Sequence, residues 1–286
     1  MDNRPIGFFD SGLGGLTCIP HLMRELPNEE IIYFGDTART PYGSKAAGTI
    51  INFSVEIADY LVESGVKMIV IACNTATSIA LDVLKRRYPD IPVLGIISPA
   101  AEEVARICKS TDNIGIIGTK VTIASEAYKE KITQYNASLH VYELATPPFV
   151  SLIEEGIIQD RIMDLTIRRY LDDFVEEKKI DTLVLGCTHY PLIKKNIASI
   201  YPFLRILNPS EIIIDSIRDI LTEHDRLAAP HEKINNFYAS DLSDNFVSMI
   251  DRIFDGTSYT VAFKNFDNEE DERDARVYIR RLHKDA

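Results

Sequence analysis

The sequence predicts an α/β protein built from two similar halves, each around a mostly parallel sheet. Three observations predict it. Short apolar runs alternate with longer amphipathic stretches, the runs end in small or polar residues, and the pattern restarts near residue 113. With 286 residues the chain can bury a sizeable core, and this length favours two domains over one.

Taken in order, Ile6–Phe9, Ile31–Phe34, Met68–Ala72 and Val93–Ile97 predict buried strands, being short and rich in β-branched and aromatic residues. Ala46–Ser64 and Thr75–Tyr88 predict helices between them. In the first, Ile50, Ile51, Phe53, Ile57, Tyr60 and Leu61 share one flank at helical spacing. Strand–helix–strand alternation implies right-handed crossovers. Asn113–Gly118 then repeats the opening, Ile6-Gly7-Phe8-Phe9 lying beside Ile114-Gly115-Ile116-Ile117. A sharper echo pairs Lys67-Met68-Ile69-Val70-Ile71-Ala72-Cys73-Asn74-Thr75 with Asp181-Thr182-Leu183-Val184-Leu185-Gly186-Cys187-Thr188-His189. Two copies of one half-domain explain both echoes; chance likeness between buried strands is the competing explanation. Ile157–Lys178 and Pro191–Ile200 predict helices, and Asn208-Pro209-Ser210 predicts a boundary with Ser210 capping a helix from Glu211. Strands are expected at Ile234–Ala239 and Ser258–Phe263, around a helix at Ser243–Phe254. After Asn265 the chain is polar, and partial disorder is expected there.

Bulk properties exclude several function classes. A composition of 45% hydrophobic and 26% charged residues is that of a globular domain. The net charge of −12 argues against a nucleic-acid surface, which needs a basic stripe, and the Asp267–Asp274 run is an acidic solvated segment. No apolar run approaches the ~20 residues of a membrane span, and no secretory signal pattern opens the chain. Cys18, Cys73, Cys108 and Cys187 are too sparse for a disulfide scaffold and form no Cys-x-x-Cys. A reducing cytoplasm is therefore expected, with any functional cysteine a free thiol.

Open α/β sheets bind ligands beyond the carboxyl ends of their strands. Asp10-Ser11-Gly12, Gly35-Asp36-Thr37, Cys73-Asn74-Thr75, Gly118-Thr119 and Cys187-Thr188-His189 all fall there, a set of hydroxyls, amides and N–H groups suited to carboxylates. Named motifs fail. Gly12-Leu13-Gly14-Gly15-Leu16-Thr17 ends in Thr17 where a dinucleotide fingerprint needs glycine, Gly43-Ser44-Lys45 lacks the phosphate-loop spacing, and His231-Glu232 has no second histidine at Asn235. A lone Cys after a strand is usually a small buried hydrophobe, and Cys18 and Cys108 fit that description. Cys73 and Cys187 occupy equivalent places in the repeat, where a following helix N-terminus would lower a thiol pKa. His189 fits an acid/base partner or a hydrogen-bonded histidine at a helix start. Asp10 fits a functional carboxylate or a helix cap. His21, His140, His224, His231 and His283 have no motif context.

Four segments together resemble the glutamate racemases of bacterial cell-wall biosynthesis. They are Phe9–Leu16, Tyr33–Arg39 running into Pro41-Tyr42-Gly43, Ala72–Thr77, and Leu185–Leu192. The resemblance implies two similar α/β domains with the active-site cleft between them. Residues 1–97 plus 208–286 would form the first, the C-terminal segment returning to it, and 98–207 the second. It also implies conversion of L-glutamate to D-glutamate for peptidoglycan synthesis in the cytoplasm, without pyridoxal phosphate, other cofactor or metal, by a homodimer that binds neither membrane nor nucleic acid. On that resemblance Cys73 and Cys187 are the acid/base thiols, with Asp10 and His189 assisting proton transfer. Ser11, Pro41, Tyr42, Gly43, Asn74, Thr75 and Thr188 would hold the substrate's charged groups. Thr119 and Thr122 form a further contact segment, and Glu154 would stand near the second thiol.

Racemisation removes a proton from one face of a carbon and returns one to the other, so two opposed thiols are a simple solution, and domain closure about a hinge would exclude water. Thr146-Pro147 departs from the Cys-Pro expected in many relatives, a change that bears on a cleft wall. An aspartate or hydantoin racemase is the nearest alternative, with His189 favouring glutamate. A non-catalytic two-lobed binding protein and a redox-sensing dithiol are the others.

Overall fold

The computed structural model describes residues 1–253, 259–264 and 278–280. Strands β1 (Ile6–Asp10), β2 (Ile31–Gly35), β3 (Met68–Ile71) and β4 (Val93–Gly95) lie in one sheet; β5 (Asn113–Gly118), β6 (His140–Ala145), β7 (Thr182–Gly186) and β8 (Arg205–Leu207) make a second. The chain then returns to the first sheet with β9 (Asn235–Ala239), β10 (Tyr259–Phe263) and β11 (Tyr278–Arg280). The orders are β11-β10-β9-β2-β1-β3-β4 and β6-β5-β7-β8, and every pairing is parallel except β10 with β11.

Within each sheet the first four strands therefore run second-first-third-fourth. The register repeats as well: Ile6 pairs with Met68, and Ile114 pairs with Thr182. These are equivalent positions in the two sequence echoes, so the echoes mark a structural repeat rather than chance likeness.

Helices fill the crossovers: α1 (Ile19–Glu25), α2 (Ala47–Glu63), α3 (Asn74–Arg87), α4 (Ile97–Ile107), α5 (Lys120–Ala124), α6 (Ala127–Tyr135), α7 (Pro148–Glu154), α8 (Arg161–Lys178), α9 (Lys194–Ile200), α10 (Pro209–Glu223) and α11 (Asp244–Ile253). In α2 the buried face is Ile50, Ser54, Ile57, Ala58 and Leu61, with Ile51, Phe53 and Tyr60 half-buried at its margins. Helix α4 buries Ile97, Ala100, Ala101 and Val104, and α10 buries Ile213, Ile214, Ile217 and Leu221, in one core that also holds Phe8 and Val70 of the first sheet and Ile116 and Val184 of the second. Each fully buried Ile, Leu or Phe contributes roughly 1.5–3 kcal/mol. This shared core joins the two sheets and sets their relative placement.

Several boundaries differ from expectation. The strand at Val93 stops at Gly95 and Ile97 already begins α4. The helix expected from Ile157 starts at Arg161, because Asp160 caps it by accepting from Ile162 N–H at 2.6 Å. Pro191 lies in a 3₁₀ turn, Tyr190–Ile193, that precedes α9. Asn208, rather than Ser210, caps α10: its side chain accepts from Ser210 N–H at 3.1 Å. Phe254, Ser258 and the acidic Asp267–Asp274 run lie outside the described residues. Beyond Asn265, where partial disorder was expected, Tyr278–Arg280 adds a strand. No helix among the described residues is long and apolar enough to cross a membrane.

Candidate active site

In a sheet ordered second-first-third-fourth, the crevice opens beyond the carboxyl ends of the first and third strands. In the first sheet those ends carry Asp10, Ser11 and Cys73, and in the second Thr119, Cys187, Thr188 and His189. The two crevices meet. Thr188 Oγ1 donates to Asp10 Oδ1 at 3.2 Å, and Thr75 Oγ1 lies 2.9 Å from Thr119 Oγ1.

Cys73 is the N-cap of α3. Its sulfur accepts from Ala76 N–H at 3.4 Å, and its thiol donates to Ser11 Oγ at 3.6 Å. The N–H of Ala76 at the helix N-terminus pulls this thiol down, but not enough to bring it below its ordinary value. Burial pushes it up to about 12 and the Asp10 charge adds to that, outweighing the Ala76 and Ser11 hydrogen bonds. Cys187 has a different setting. The 3₁₀ turn follows it where an α-helix N-terminus was expected, and its neighbour is His189 Nδ1, 3.8 Å from the sulfur. Cys18 and Cys108 are buried as expected, and all four cysteines are free.

His189 is buried and donates from Nε2 to Glu154 Oε1 at 3.1 Å. Burial alone pulls an imidazole down, yet hydrogen bonds to Cys187 and Glu154, with the charges of Cys187 and Asp10, raise it to about 10. These partners favour the imidazolium over the neutral ring. Asp10 is fully buried; its Oδ2 accepts from Gly12 N–H at 3.1 Å. Burial raises this carboxyl, opposed by the His189 charge, the N–H groups of Gly15 and Gly12, and the Thr188 hydroxyl.

Close approach explains the glycine-rich loop. A Cβ on Gly14 would lie 2.3 Å from Thr188 Oγ1 and 2.7 Å from His189 Nδ1. The glycine lets the loop after β1 press against the loop after β7, and needs no phosphate to account for it.

Thr75, Thr119 and Thr122 form a hydroxyl triangle with edges of 2.9, 3.1 and 3.0 Å. Asn74 accepts from Tyr128 Oη at 2.7 Å, while its buried Nδ2 has no hydrogen-bond partner. That leaves a donor beside the cleft. Pro41 follows a cis peptide bond, and with Gly43, Thr119, Thr146, Pro147 and Val150 it lines a cavity of about 110 Å³. Thr146 is buried against Tyr190 Oη at 2.7 Å. The Tyr42 hydroxyl is not turned to the cleft: it donates to Asp36, whose carboxylate also takes Arg39 Nε at 2.8 Å and Ser240 Oγ at 2.7 Å. Asp36 was visible as a strand-end residue and within the Tyr33–Arg39 segment, with no role assigned, and Ser240 carried no motif signal. Thr40 Oγ1 donates to Glu154 Oε1 at 3.5 Å, a contact absent from the sequence reading. Among the described residues, no three His, Cys, Asp or Glu side chains are grouped to hold a metal ion.

Residues 17–217 match the Asp/Glu/Hydantoin racemase family. The chain belongs to this family. Among similar members, the glutamate racemase of a Sulfurihydrogenibium species is 48% identical over 217 residues, covering 76% of this chain and 82% of that one. The glutamate racemase of Geobacter metallireducens is 41% identical over 258 residues, or 90% and 94%. Among solved structures, the Francisella tularensis glutamate racemase in complex with D-glutamate superposes with a TM-score of 0.85 at 38% identity, covering 93% of this chain and 98% of that chain. With relatives this similar, this member of the Asp/Glu/Hydantoin racemase family is an isomerase, an amino-acid racemase.

Proposed function

We propose that the chain interconverts L- and D-glutamate by two-base proton transfer at the α-carbon, with no added cofactor. The observation that carries this reading is the placement of Cys73 and Cys187 at equivalent strand ends of two sheets whose site loops meet. The substrate class follows from relatives named glutamate racemases over most of the chain.

One thiolate takes the α-proton from one face, and the opposite thiol gives its proton to the other. Cys73 is the proton donor in one direction, since burial keeps its thiol protonated. The His189 imidazolium is placed to balance negative charge on Cys187 as it acts as base. The reverse reaction exchanges the two roles. Carbanionic charge is met by fixed donors in a buried cleft, among them Asn74 Nδ2 and the Thr75, Thr119 and Thr122 hydroxyls. Asp10, Ser11 and Thr188 suit the ammonium side of the substrate, and the backbone N–H groups of Tyr42 and Gly43 suit its far carboxylate, with Pro41 forming the wall beside them. Glu154 acts through His189. The same reading places residues 1–97 with 208–286 in one domain and 98–207 in the other. It makes the enzyme a cytoplasmic homodimer that supplies D-glutamate for peptidoglycan.

Incubation with L- or D-glutamate in D₂O tests this. The expected result is loss of optical rotation from both sides with deuterium entering the α-position, abolished by Cys73→Ala and by Cys187→Ala. Near-normal turnover in Cys187→Ala would sink the mechanism. Reaction with aspartate alone would move the substrate.

A further inference from the structure

Behind the two site loops lies a group of hydroxyls that the mechanism does not use. Thr17 belongs to the 3₁₀ turn Gly14–Cys18 that follows the β1 loop, and Ser210 is the second residue of α10, almost fully buried. Thr17 Oγ1 lies 2.8 Å from Gly14 O, 3.2 Å from Thr188 O and 2.9 Å from Ser210 Oγ. A threonine hydroxyl has one proton, so the two carbonyls share it, and Ser210 completes the set by donating into Thr17 Oγ1.

This arrangement ties three segments together. The Gly14 carbonyl belongs to the loop whose Gly12 and Gly15 N–H groups hold Asp10. The Thr188 carbonyl belongs to the loop that carries Cys187 and His189, and Ser210 anchors both to the helix packed on α4. The two loops touch at Gly14, where even a Cβ would collide with Thr188. Sliding of one loop on the other changes the Thr188–Asp10 distance and, with it, the placement of Asp10 against His189.

We propose that Thr17 and Ser210 are positioning residues for proton transfer at Cys187, their shared hydroxyl bonds fixing the β1 loop against the Cys187–His189 loop. This rests on the reading of Cys187 as a reacting thiol. A misplacement of ~1 Å at reacting groups costs as much as 10²-fold in rate. The groups facing His189 are Cys187, Glu154 and Asp10, and Thr17 joins the loop that follows Asp10 to the loop that carries Cys187.

Thr17→Val, which keeps the shape and removes the hydroxyl, is expected to lower kcat about tenfold in both directions while KM stays within about twofold. Thr17→Ser is expected to restore the rate. Ser210→Ala is expected to fall between, and the double variant to be no slower than Thr17→Val, since both act through the same bonds. The His189 ring titration, followed by NMR, is expected to move down in Thr17→Val. Unchanged kcat and an unmoved His189 titration in Thr17→Val would overturn the proposal, as would failure of Thr17→Ser to restore the rate. If the unaltered protein does not racemise glutamate, the reading of the reaction fails by that result alone. The NMR titration then still decides whether Thr17 positions His189. Ser210→Ala and Thr17→Ser keep the test open if Thr17→Val does not fold.

Discussion

The two thiols receive their polar support from different sources, Cys73 from a backbone N–H and the Ser11 hydroxyl, Cys187 from an imidazolium. His189 sits at about 10 against an ordinary 6.5, so its protonation stabilises the folded protein fully below pH ~6.5. That stabilisation is lost as pH rises through about 10. Glu154→Gln replaces a charge-assisted hydrogen bond with a neutral one, and the His189 ionisation is expected to move down from about 10 toward 6.5 in an NMR titration. An unmoved titration would assign the whole effect to Cys187 and Asp10. The thiols and His189 were legible because they end apolar strands at repeated positions. The Thr17–Ser210 contact was not, since two hydroxyls 193 positions apart leave no spacing to read.

Loops, turns and caps set where these side chains stand. Gly43 lies under Thr119, and a Cβ there would come 2.5 Å from Thr119 Cβ. Gly43→Ala therefore pushes apart the two sides of the proposed substrate seat. We expect KM to rise about tenfold with a smaller change in kcat, the pattern of lost ground-state binding; equal KM would show that Thr119 yields freely. Asn208→Ala removes the α10 cap and is expected to cost ~1 kcal/mol in urea unfolding. Strands with continuous Ile and Val runs were readable from the chain. β6 was not: its side chains are half-buried or exposed on an edge, which leaves no continuous apolar run. β8 has only three residues, and α5 only five, too few for a period to show. The turn after Cys187 was mistaken for a helix start because Pro191 suits the first turn of either.

Across the whole molecule, the N-terminal residues and the connection from α10 to β9 are fastened at the amino side of the first sheet. Lys67 Nζ pairs with Glu29 Oε2 at 2.5 Å with both side chains almost fully buried, and it donates to the carbonyls of Asp2 and Arg226. Glu29 Oε1 accepts from Ala228 N–H at 2.8 Å. Lys67→Met leaves Glu29 without its buried ion-pair partner, and a loss of roughly 3–5 kcal/mol is expected in denaturant unfolding; a loss under about 1 kcal/mol would mean that water or Lys233 takes the lysine's place. The two-sheet plan was legible because strand order and register repeat, whereas this buried pair was not, each partner looking like an ordinary surface charge in sequence. The repeat is faithful in backbone and unequal in side chains, with a histidine–glutamate pair beside Cys187 where Cys73 has the Ser11 hydroxyl. For a reaction between mirror images that inequality meets a thermodynamic limit. Enantiomers have equal free energies in water, so the equilibrium constant is unity and kcat/KM must be identical in the two directions. The dissimilar flanks of the cleft can make one enantiomer bind more tightly and turn over more slowly, but the handedness of the protein can never pull the pool away from a racemic mixture.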